Sequence, residues 1–426
     1  MKQRGVLVGI NINNMKDFEE SMVELQNLCL ACDIESVGNI IQNSKKVNST
    51  YYIGSGKVEE LMDLVSEENA DIVIFNNELS GSQLRNIEQK LNCRVMDRTA
   101  LILDIFAQRA KTREAKLQVE VAKLQYELPR LIGSNENLGR QSGGVGTKNR
   151  GAGEKKLELD RRKIEERISD LNKELEILKQ QRHTQRKERK KSNIPNIALV
   201  GYTNAGKSSI MNAMVEQFKH SEDKKVFEKD MLFATLETSV RSIKLSNNKS
   251  ILLSDTVGFV SNLPHNLVKA FRSTLEEVCE ADLLIHVVDI SNPHHENHID
   301  VTKETLKQIG ADHIPVIYVY NKIDLINRPL IHDKGIYISA KKKVGIYISA
   351  KKKVGIDKLT ESIGKNVFTD YIRCKMLIPY DEVKVVPYFN QNADIIDTEY
   401  VNEGTILALE CKEEDYYRYK RYVIAE

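Results

Sequence analysis

A glycine-rich stretch at residues 201–208, GYTNAGKS, has the residue types and spacing of a phosphate-binding loop. It matches G-x-x-x-x-G-K-S, follows the apolar run NIALV and precedes the helical pattern SIMNAM. In such a loop the backbone N–H groups curl around the β-phosphate, a lysine reaches the β- and γ-phosphates, and a serine hydroxyl ligates Mg²⁺. We therefore predict a nucleotide site that contains Gly201, Tyr202, Thr203, Asn204, Ala205, Gly206, Lys207, Ser208 and Ser209.

A second motif, D-x-x-G, ends the predicted strand in KSILLSDTVGF. Asp255 is suited to hold the magnesium shell, and the N–H of Gly258 can turn towards the γ-phosphate. The motif is weak alone but strong after a phosphate-binding loop and a strand. Thr256 and Val257 lie between these two residues and are predicted to line the same site. The next residue is Phe259, which has no hydrogen-bonding group to orient an attacking water.

The stretch VIYVYNKIDL places N-K-x-D at the end of another predicted strand. The carboxylate of Asp324 can accept two hydrogen bonds from guanine, from N1–H and the exocyclic amine, which adenine does not offer. Asn321 is expected to brace this pocket, and the stem of Lys322 is expected to lie along the base. The motif therefore predicts GTP rather than ATP as the nucleotide.

Residues 335–354 contain one decapeptide, GIYISAKKKV, written twice without a mismatch. Two copies are too few for a repeat architecture. Guanine-binding folds use a strand-end Ser-Ala-Lys whose alanine N–H contacts the base carbonyl, and only one IYISA can supply it. Because the second copy leads directly into the amphipathic pattern VGIDKLTESI, we predict Ser349 and Ala350, with Ser339 and Ala340 as the alternative. The surplus copy is then an apolar loop, an added edge strand or an introduced duplication.

Three regions are predicted to position these motifs within the 426 residues. Residues 1–105 alternate short β-rich runs with helical patterns, as in a small α/β domain. Residues 106–192 contain two amphipathic helices with narrow apolar seams, which predicts a helical hairpin. Residues 193–368 carry the three motifs and are typical of an α/β P-loop domain, with a mostly parallel sheet and helices on both faces.

The segment between the two helices, residues 139–153, contains six glycines and the cations Arg140, Lys148 and Arg150. One interpretation is a solvated linker. The other is a finger that contacts a phosphate backbone through its N–H groups and cations. Composition leaves the two about equal. A second basic run, RHTQRKERKK, ends the second helix, so two positive elements flank this hairpin.

Composition and residue spacing argue against several other kinds of site, namely an extended nucleic-acid surface, a metal site and a membrane segment. The net charge is +2, so any nucleic-acid surface must be local. Cys29 and Cys32 form a C-x-x-C, but no second pair or nearby histidine completes a tetrahedral metal site. His294, His295 and His298 invite a zinc interpretation, yet the flanking Asn, Pro and Asp favour a solvated loop and a helix start. With no signal peptide and no long apolar run, we expect a cytoplasmic protein without stable membrane insertion.

Taken in order, the motifs of the chain resemble those of the HflX family of translation-associated GTPases. The resemblance rests on YYIGSGKVEEL, DRTALILDIFAQRAKTREAKLQVEVAKLQYELPRL, GRQSGGVGT, LFATLE and DTVGFVSNLPHNLV, and thus covers most of the chain. It implies a protein that binds ribosomes, splits them and rescues stalled ones under stress. It also implies that Arg140, Lys148 and Arg150 contact rRNA in the large subunit. Residues 369–426 resemble the small α+β C-terminal domain of some members.

The same resemblance supplies residues that spacing alone does not. In LFATLE, Phe233 is expected near the nucleotide, and Thr235 is expected to be the switch I threonine that senses Mg²⁺ and the γ-phosphate. The chain reads RGAGE and FATLETS where the family usually has RGPGE and FATLDPT. The expected catalytic residues are Lys207, Thr235 and Gly258, and the expected magnesium ligands are Ser208, Thr235 and, through water, Asp255.

A second cation is also predicted, because Asn204 resembles the P-loop asparagine of potassium-activated GTPases. The alternative is that Asn204 is only a residue that the loop tolerates, with no role in cation binding.

We expect a monomeric, ribosome-dependent enzyme that hydrolyses GTP to GDP. Two other classes remain open. One is an RNA-remodelling ATPase that uses the glycine-rich tip, although GGVGTK lacks the spacing of a phosphate loop; the other is a GTP-gated protein-interaction module with little catalysis.

Overall fold

A computed structural model describes ten stretches of the chain, and all structural statements concern them. They are residues 2–13, 17–132, 150–191, 194–218, 232–233, 238–245, 249–261, 275–326, 336–338 and 344–425. Several predicted site residues lie outside them, namely Arg140, Lys148, Thr235, Ser339 and Ala340. Within the described stretches, no helix is long and apolar enough to cross a membrane.

The N-terminal domain is built on a four-stranded parallel sheet of order β2-β1-β3-β4. Its strands are β1 (Gln3–Ile12), β2 (Ile34–Ser44), β3 (Ile72–Phe75) and β4 (Arg94–Asp97). Its helices are α1 (Phe18–Ala31), α2 (Ser55–Glu67), α3 (Gly81–Leu91) and α4 (Arg98–Arg109). Both faces of the sheet are covered, as a parallel sheet requires.

Alternation along the strands divides the interior of this domain into two cores. Leu7 packs with α1 and α4 on one face of the sheet, whereas Val6 and Val8 pack with α2 and α3 on the other. Successive side chains on a strand point to opposite faces, so this division follows from the pattern VLV. Phe106 of α4 belongs to the first core, and the expected domain boundary at residue 105 therefore falls inside that helix.

The two helices predicted for the hairpin are α5 (Arg113–Ile132) and α6 (Arg150–Lys191). They pack through the predicted seam, which in the described residues contains Leu117, Val121, Leu124, Ile168, Leu171, Leu175 and Leu178. Ion pairs across the seam, Arg113–Glu174 and Arg167–Glu120, each 2.8 Å, set an antiparallel register. The 42 residues of α6 span about 63 Å at 1.5 Å per residue.

The P-loop domain contains a seven-stranded sheet of order β10-β11-β9-β8-β5-β7-β6, parallel except at its two edges. Its strands are β5 (Asn196–Val200), β6 (Ser239–Lys244), β7 (Ser250–Asp255), β8 (Leu283–Asp289), β9 (Val316–Asn321), β10 (Ile336–Ile338) and β11 (Val344–Tyr347). Its helices are α7 (Lys207–Gln217), α8 (Glu276–Cys279), α9 (His295–Ile309) and α10 (Ile356–Val367). Helices α7 and α10 cover one face, and α8 and α9 cover the other.

The two copies of the decapeptide occupy neighbouring strands at one edge of this sheet. The second copy contributes β11 from that strand's second residue onwards, Gly345 to Tyr347, and this strand pairs in parallel with β9. The first copy contributes β10, which pairs antiparallel with β11 from Ile336 opposite Ile346 to Ile338 opposite Val344. The surplus copy is therefore an added edge strand, one of the three predicted outcomes.

The C-terminal domain follows the order strand, helix, strand, strand, helix, strand. Its elements are β12 (Tyr371–Ile378), α11 (Val385–Asn392), β13 (Asp394–Val401), β14 (Gly404–Lys412), α12 (Glu413–Arg418) and β15 (Val423–Ala425). The sheet is antiparallel, with order β13-β14-β12-β15. One face buries Met376, Leu407 and Leu409 against Phe389 and Tyr416 of the two helices, which gives this domain its own core.

Candidate nucleotide-binding site

The P-loop, residues 201–208, connects the buried strand β5 to the first turn of α7. Gly201 has φ +144°, and a Cβ there would lie 2.3 Å from the carbonyl oxygen of Val287. Gly206 has φ +95°, and its Cβ would lie 2.2 Å from Nδ2 of Asn321. Only glycine can adopt these conformations at such close approach, so both glycines are required by the backbone path itself.

Lys207 lies at the centre of the loop and is buried. Its Nζ donates hydrogen bonds to the carbonyl oxygens of Gly201, at 3.2 Å, and Tyr202, at 2.9 Å. Burial lowers the pKa of Lys207 to about 8, and the nearby Asp255 carboxylate opposes that shift. An anionic phosphate beside the ammonium would favour its charged form.

Hard oxygen donors meet where β7 ends and α7 begins. Ser208 Oγ donates to Oδ2 of Asp255 at 2.6 Å. Asp255 is fully buried, and the next residue, Thr256, donates its hydroxyl to the carbonyl oxygen of Leu199 at 2.6 Å. A serine hydroxyl and a carboxylate suit Mg²⁺, which prefers oxygen ligands. The donor set therefore fits the predicted metal.

The segment that begins at the last residue of β7, residues 255–261, packs directly on the P-loop and is called switch II below. Phe259 N–H donates to the carbonyl oxygen of Gly201 at 3.2 Å, and Thr203 N–H donates to the carbonyl oxygen of Phe259 at 2.8 Å. The Phe259 side chain is buried in the core between the sheet and α8. It therefore points away from the phosphate-binding side and cannot take the place of the missing glutamine.

Residues predicted from LFATLE and D-x-x-G also contact the loop or the N-terminal domain. Phe233 N–H donates to Oγ1 of Thr203 at 2.9 Å. The Phe233 and Val257 side chains are buried in the N-terminal core that contains α1 and α4. The backbone of these two residues thus lies beside the P-loop, while their side chains pack in the core of the N-terminal domain.

At the other end of the site, four predicted residues form two hydrogen-bonded pairs. Asn321 Nδ2 donates to the carbonyl oxygen of Ala205 at 3.0 Å, and Ala350 N–H donates to Oδ1 of Asn321 at 3.0 Å. Ser349 Oγ donates to Oδ1 of Asp324 at 2.6 Å. This hydrogen bond, with smaller contributions from nearby lysines, holds the pKa of Asp324 below its usual range, so the carboxylate is an ionised acceptor.

The remaining predicted residues have separate positions. Lys322 Nζ lies 2.7 Å from Oδ2 of Asp289, which holds the lysine stem across the ends of β8 and β9. Asn204 is exposed and has φ +61°, a conformation that Asn tolerates better than most residues. Ser209 lies in the first turn of α7. Arg150 is the first residue of α6, and its side chain lies outside the described part of the structure.

Comparison with known proteins gives three consecutive family matches. Residues 19–107 match the N-terminal region of GTP-binding GTPases, 109–189 their middle region, and 196–322 a family described as 50S ribosome-binding GTPase. The GTPase HflX of Caldanaerobacter subterraneus subsp. tengcongensis is 42% identical over 425 residues, covering 100% of this chain and 94% of the relative. The chain belongs to the HflX family of GTPases. It is therefore a GTP-hydrolysing enzyme whose P-loop domain binds guanine nucleotides.

Two other HflX relatives are similar over shorter spans. GTPase HflX of Lacrimispora saccharolytica is 39% identical over 409 residues, covering 95% of this chain and 92% of the relative. The Escherichia coli protein is 36% identical over 324 residues, covering 76% and 74%. The predicted family, the α/β fold class and the GTPase activity are confirmed.

Two solved structures are also similar to this HflX-family chain. One, described as a complex of SsGBP and GDP, is 27% identical, with a TM-score of 0.48, and covers 87% of this chain and 99% of its own. The other is a GTP-binding protein from the archaeon Sulfolobus solfataricus in complex with GDP. It is 26% identical, with a TM-score of 0.45 and the same coverage.

The interpretation of the histidine segment needs correction in this HflX-family GTPase. His295 does begin helix α9, as predicted, but His298 is not part of a solvated face. Its ring stacks on Tyr202 of the P-loop, with centroids 3.7 Å apart and planes at 5°, and its Nε2 lies 2.9 Å from Oε1 of Glu20. Among the described residues no cluster of histidine, cysteine or acidic side chains has a metal-binding arrangement.

Sequence reasoning also missed Glu24 and Arg98, two buried and oppositely charged residues of the N-terminal domain. They contact Tyr202 and the switch II residue Ser261. One signal was available: Glu24 interrupts the apolar pattern SMVELQNLCL at a position that should face the core. A charge at such a position needs a buried partner.

Proposed function

We propose that this GTPase binds the ribosome, chiefly its large subunit and rRNA, and uses GTP hydrolysis to split or rescue stalled ribosomes under stress. The family matched by residues 196–322 is described as a 50S ribosome-binding GTPase. The observation that carries the proposal is the hairpin of α5 and α6, whose connecting segment is basic and rich in glycine.

The hairpin has the dimensions and charge of an element that enters an RNA particle. Helix α5 spans about 30 Å and α6 about 63 Å, at 1.5 Å per residue. The apolar seam and the ion pairs between α5 and α6 hold the two helices together as one unit that carries the connecting segment. The cations Arg140, Lys148 and Arg150 lie at or between the distal ends of these helices in the sequence. Cations that neutralise phosphates give RNA affinity that falls as salt rises.

The nucleotide site supports the following roles. Asp324 accepts two hydrogen bonds from guanine, Asn321 and Ala350 brace the base, and Lys207 binds the β- and γ-phosphates. Ser208 and Asp255, with Thr235, would hold Mg²⁺, which neutralises charge that develops between the β- and γ-phosphates. The N–H of Gly258 is the donor for the γ-phosphate. Because Phe259 offers no hydrogen bond to water, efficient hydrolysis requires a group from the ribosome.

Replacement of residues 140–152 by a neutral Gly-Ser linker tests the role of the hairpin. We expect GTP binding to be unchanged, while subunit splitting in gradient sedimentation and most ribosome-stimulated hydrolysis are lost. A matched control keeps Arg140, Lys148 and Arg150 within a Gly-Ser linker of equal length, which separates charge from loop sequence. Wild-type splitting by the neutral variant would show that the segment is only a solvated linker.

Measurements of nucleotide hydrolysis and of ribosome co-sedimentation separate the two alternative functions. An RNA-remodelling ATPase would hydrolyse ATP and respond to naked RNA as well as to ribosomes. A GTP-gated interaction module would bind its partner in the presence of a non-hydrolysable GTP analogue but show no stimulated hydrolysis. Co-sedimentation with ribosomes in that analogue, compared with GDP, therefore tests binding independently of catalysis.

We further propose that K⁺ assists hydrolysis through the side-chain oxygen of Asn204. The left-handed backbone at this residue offers a second reason for asparagine, so a variant must keep the backbone and remove the side chain. Asn204→Gly does so, because glycine adopts a positive φ without strain. We expect K⁺ to accelerate hydrolysis over Na⁺ in the parent protein but not in this variant. Equal rates of the parent in both salts would contradict the role of K⁺.

A further inference from the structure

Glu24 of α1 and Arg98 of α4 form a buried ion pair in the N-terminal domain. Their side chains are 8% and 3% exposed, so both charges have lost nearly all contact with water. Such a pair is stable only when further hydrogen bonds satisfy its remaining donors and acceptors. Within the domain, Arg98 Nη1 donates to Oδ1 of Asn76 at 2.9 Å. Arg98 Nη1 also donates to the carbonyl oxygen of Ser21 at 3.4 Å. Further partners come from the P-loop domain.

Those partners are the P-loop residue Tyr202 and the switch II residue Ser261. Arg98 Nη2 donates to the carbonyl oxygen of Ser261 at 3.2 Å, and Ser261 N–H donates to Oη of Tyr202 at 2.9 Å. Tyr202 Oη in turn donates to the Glu24 carboxylate. The main chain of Ser261 is thus held on both sides. Arg98 binds its carbonyl oxygen, and its N–H donates to Tyr202 Oη and also, at 3.4 Å, to Oε1 of Glu24.

Apolar contacts fix the same segment. Val257 and Val260 of switch II are buried in the N-terminal core, together with Phe233. The Phe233 ring lies edge-on to Phe106 of α4, with centroids 4.7 Å apart. The segment that contains Phe233 and switch II are the two segments expected to respond to the γ-phosphate. Both therefore bury side chains in the N-terminal domain, which does not contain the P-loop.

This arrangement places switch II close against the P-loop. A Cβ on Gly258 would lie 2.5 Å from Cα of Thr203 and 3.0 Å from Nζ of Lys207. A γ-phosphate oxygen that accepts from Lys207 Nζ and from Gly258 N–H needs about 2.7–3.2 Å to each donor. Because Gly258 packs this closely on Thr203 and beside Lys207, we expect it to move away from the P-loop when such an oxygen binds. Ser261 is three residues further along the chain and is restrained by Arg98.

We propose that Arg98, held in place by Glu24, is a positioning residue that keeps switch II against the P-loop and so lowers the affinity for a nucleoside triphosphate relative to the diphosphate. Binding is reciprocal: a triphosphate that displaces Gly258 weakens the contact between the two domains by the same factor. The N-terminal domain, which is continuous with the hairpin, thereby senses the γ-phosphate. The proposal does not depend on the ribosome.

Arg98→Lys tests this role, because a lysine keeps the charge beside Glu24 but cannot reproduce the forked contacts to Ser261 and Asn76. We expect the ratio of affinities for a non-hydrolysable GTP analogue and GDP, measured by calorimetry, to shift towards the triphosphate by about tenfold. Tyr202→Phe removes the hydroxyl that accepts from Ser261 N–H and donates to Glu24, and it should shift the ratio in the same direction.

The matched control is Arg4→Lys. Arg4 also forms an ion pair in the N-terminal domain, with Glu68 at 2.8 Å, but this pair lies at the surface and is not part of the switch II network. We expect its affinity ratio to equal that of the parent protein. If Arg98→Lys changes both affinities equally, or changes only the melting temperature, Arg98 has a structural role alone and the proposal is wrong.

A measurement on the unaltered protein keeps the test independent of variant folding. Three amides report the arrangement directly, since Thr203, Phe259 and Ser261 donate N–H groups across the boundary between P-loop and switch II. We expect their hydrogen exchange to be faster with Mg²⁺ and the GTP analogue than with Mg²⁺ and GDP. Equal exchange in the two states would overturn the proposal.

Discussion

The two ends of the nucleotide site are built in different ways. At the guanine end, Asn321, Asp324, Ser349 and Ala350 come from strand ends and loops of one domain, and they bond to one another. At the phosphate end, switch II is restrained by a buried ion pair from the N-terminal domain, and Val257 and Val260 lie in that domain's core. If these residues have the roles proposed above, base selection is a local property, whereas the response to phosphate is shared between domains.

Changes at the two ends should therefore have different consequences. A substitution at the guanine end should alter which base is bound and leave the hydrolysis step alone. A substitution at the phosphate end, or a partner that moves the N-terminal domain, should alter hydrolysis and the balance between di- and triphosphate.

Hydrolysis at the phosphate end should depend strongly on a partner. Phe259 is buried and cannot orient water, so we expect slow intrinsic turnover and a rate increase with ribosomes on the order of 10³-fold. Phe259→Ala should abolish the stimulated rate and leave GDP affinity intact, because its backbone hydrogen bonds rather than its side chain contact the P-loop. Phe259→Leu, which retains most of the buried volume, is the matched control. Fast turnover by the isolated protein in sodium buffer would contradict both the partner and the K⁺ roles.

Substitution of a single residue, Asp324, should remove the specificity for guanine. Asp324→Asn replaces one acceptor of the two guanine contacts with a donor, and each unsatisfied buried group costs about 1–3 kcal/mol. We expect GTP affinity to fall by roughly 100-fold and xanthosine triphosphate to bind better than GTP. The ribosome-stimulated rate constant with saturating xanthosine triphosphate should match that of the parent with GTP. A change in that rate constant would show that the two ends are not separate, and equal affinity of the parent for ATP and GTP would refute the assignment of Asp324.

A smaller effect should distinguish the two copies of the decapeptide. Ser349→Ala removes the hydroxyl that holds the Asp324 carboxylate, and one such hydrogen bond contributes about 0.5–1.5 kcal/mol. We therefore expect GTP affinity to fall about three- to tenfold. Ser339→Ala, the same substitution in the other copy, should leave the affinity unchanged. A loss with Ser339→Ala alone would mean that the first copy supplies the guanine contact.

The smallest effect is expected when one copy is removed. Deletion of residues 335–344 and deletion of 345–354 give the same sequence, so one variant tests both. The loop contacts at the guanine end can then be formed by the single remaining copy, and loop length changes closure free energy only logarithmically. We expect GTP affinity within a factor of about two of the parent protein. A large loss would show that the added strand stabilises the guanine end.

Much of the P-loop and of the guanine end was predictable because their residues follow short local patterns. The phosphate loop and N-K-x-D each combine a strand, a fixed spacing and a necessary residue type, and the helix pattern after the second copy favoured Ser349. Thr235 and Phe233, by contrast, were assigned only through family resemblance. The contact between Glu24 and Tyr202 joins residues 178 positions apart and has no local pattern. His298 was misread for the same reason, since polar neighbours in sequence say nothing about a stacking partner from the P-loop.

The added strand β10 has a consequence for self-association. It forms one edge of the seven-stranded sheet, and an edge strand presents backbone donors and acceptors to which another chain can add. Natural proteins discourage such addition with lysines close to the edge. The decapeptide ends in Lys-Lys-Lys-Val, so each copy brings its own lysines, and Lys341, Lys342 and Lys343 directly follow β10 in the sequence. An in-frame duplication of this segment therefore lengthens a sheet and supplies a deterrent to aggregation in the same genetic event.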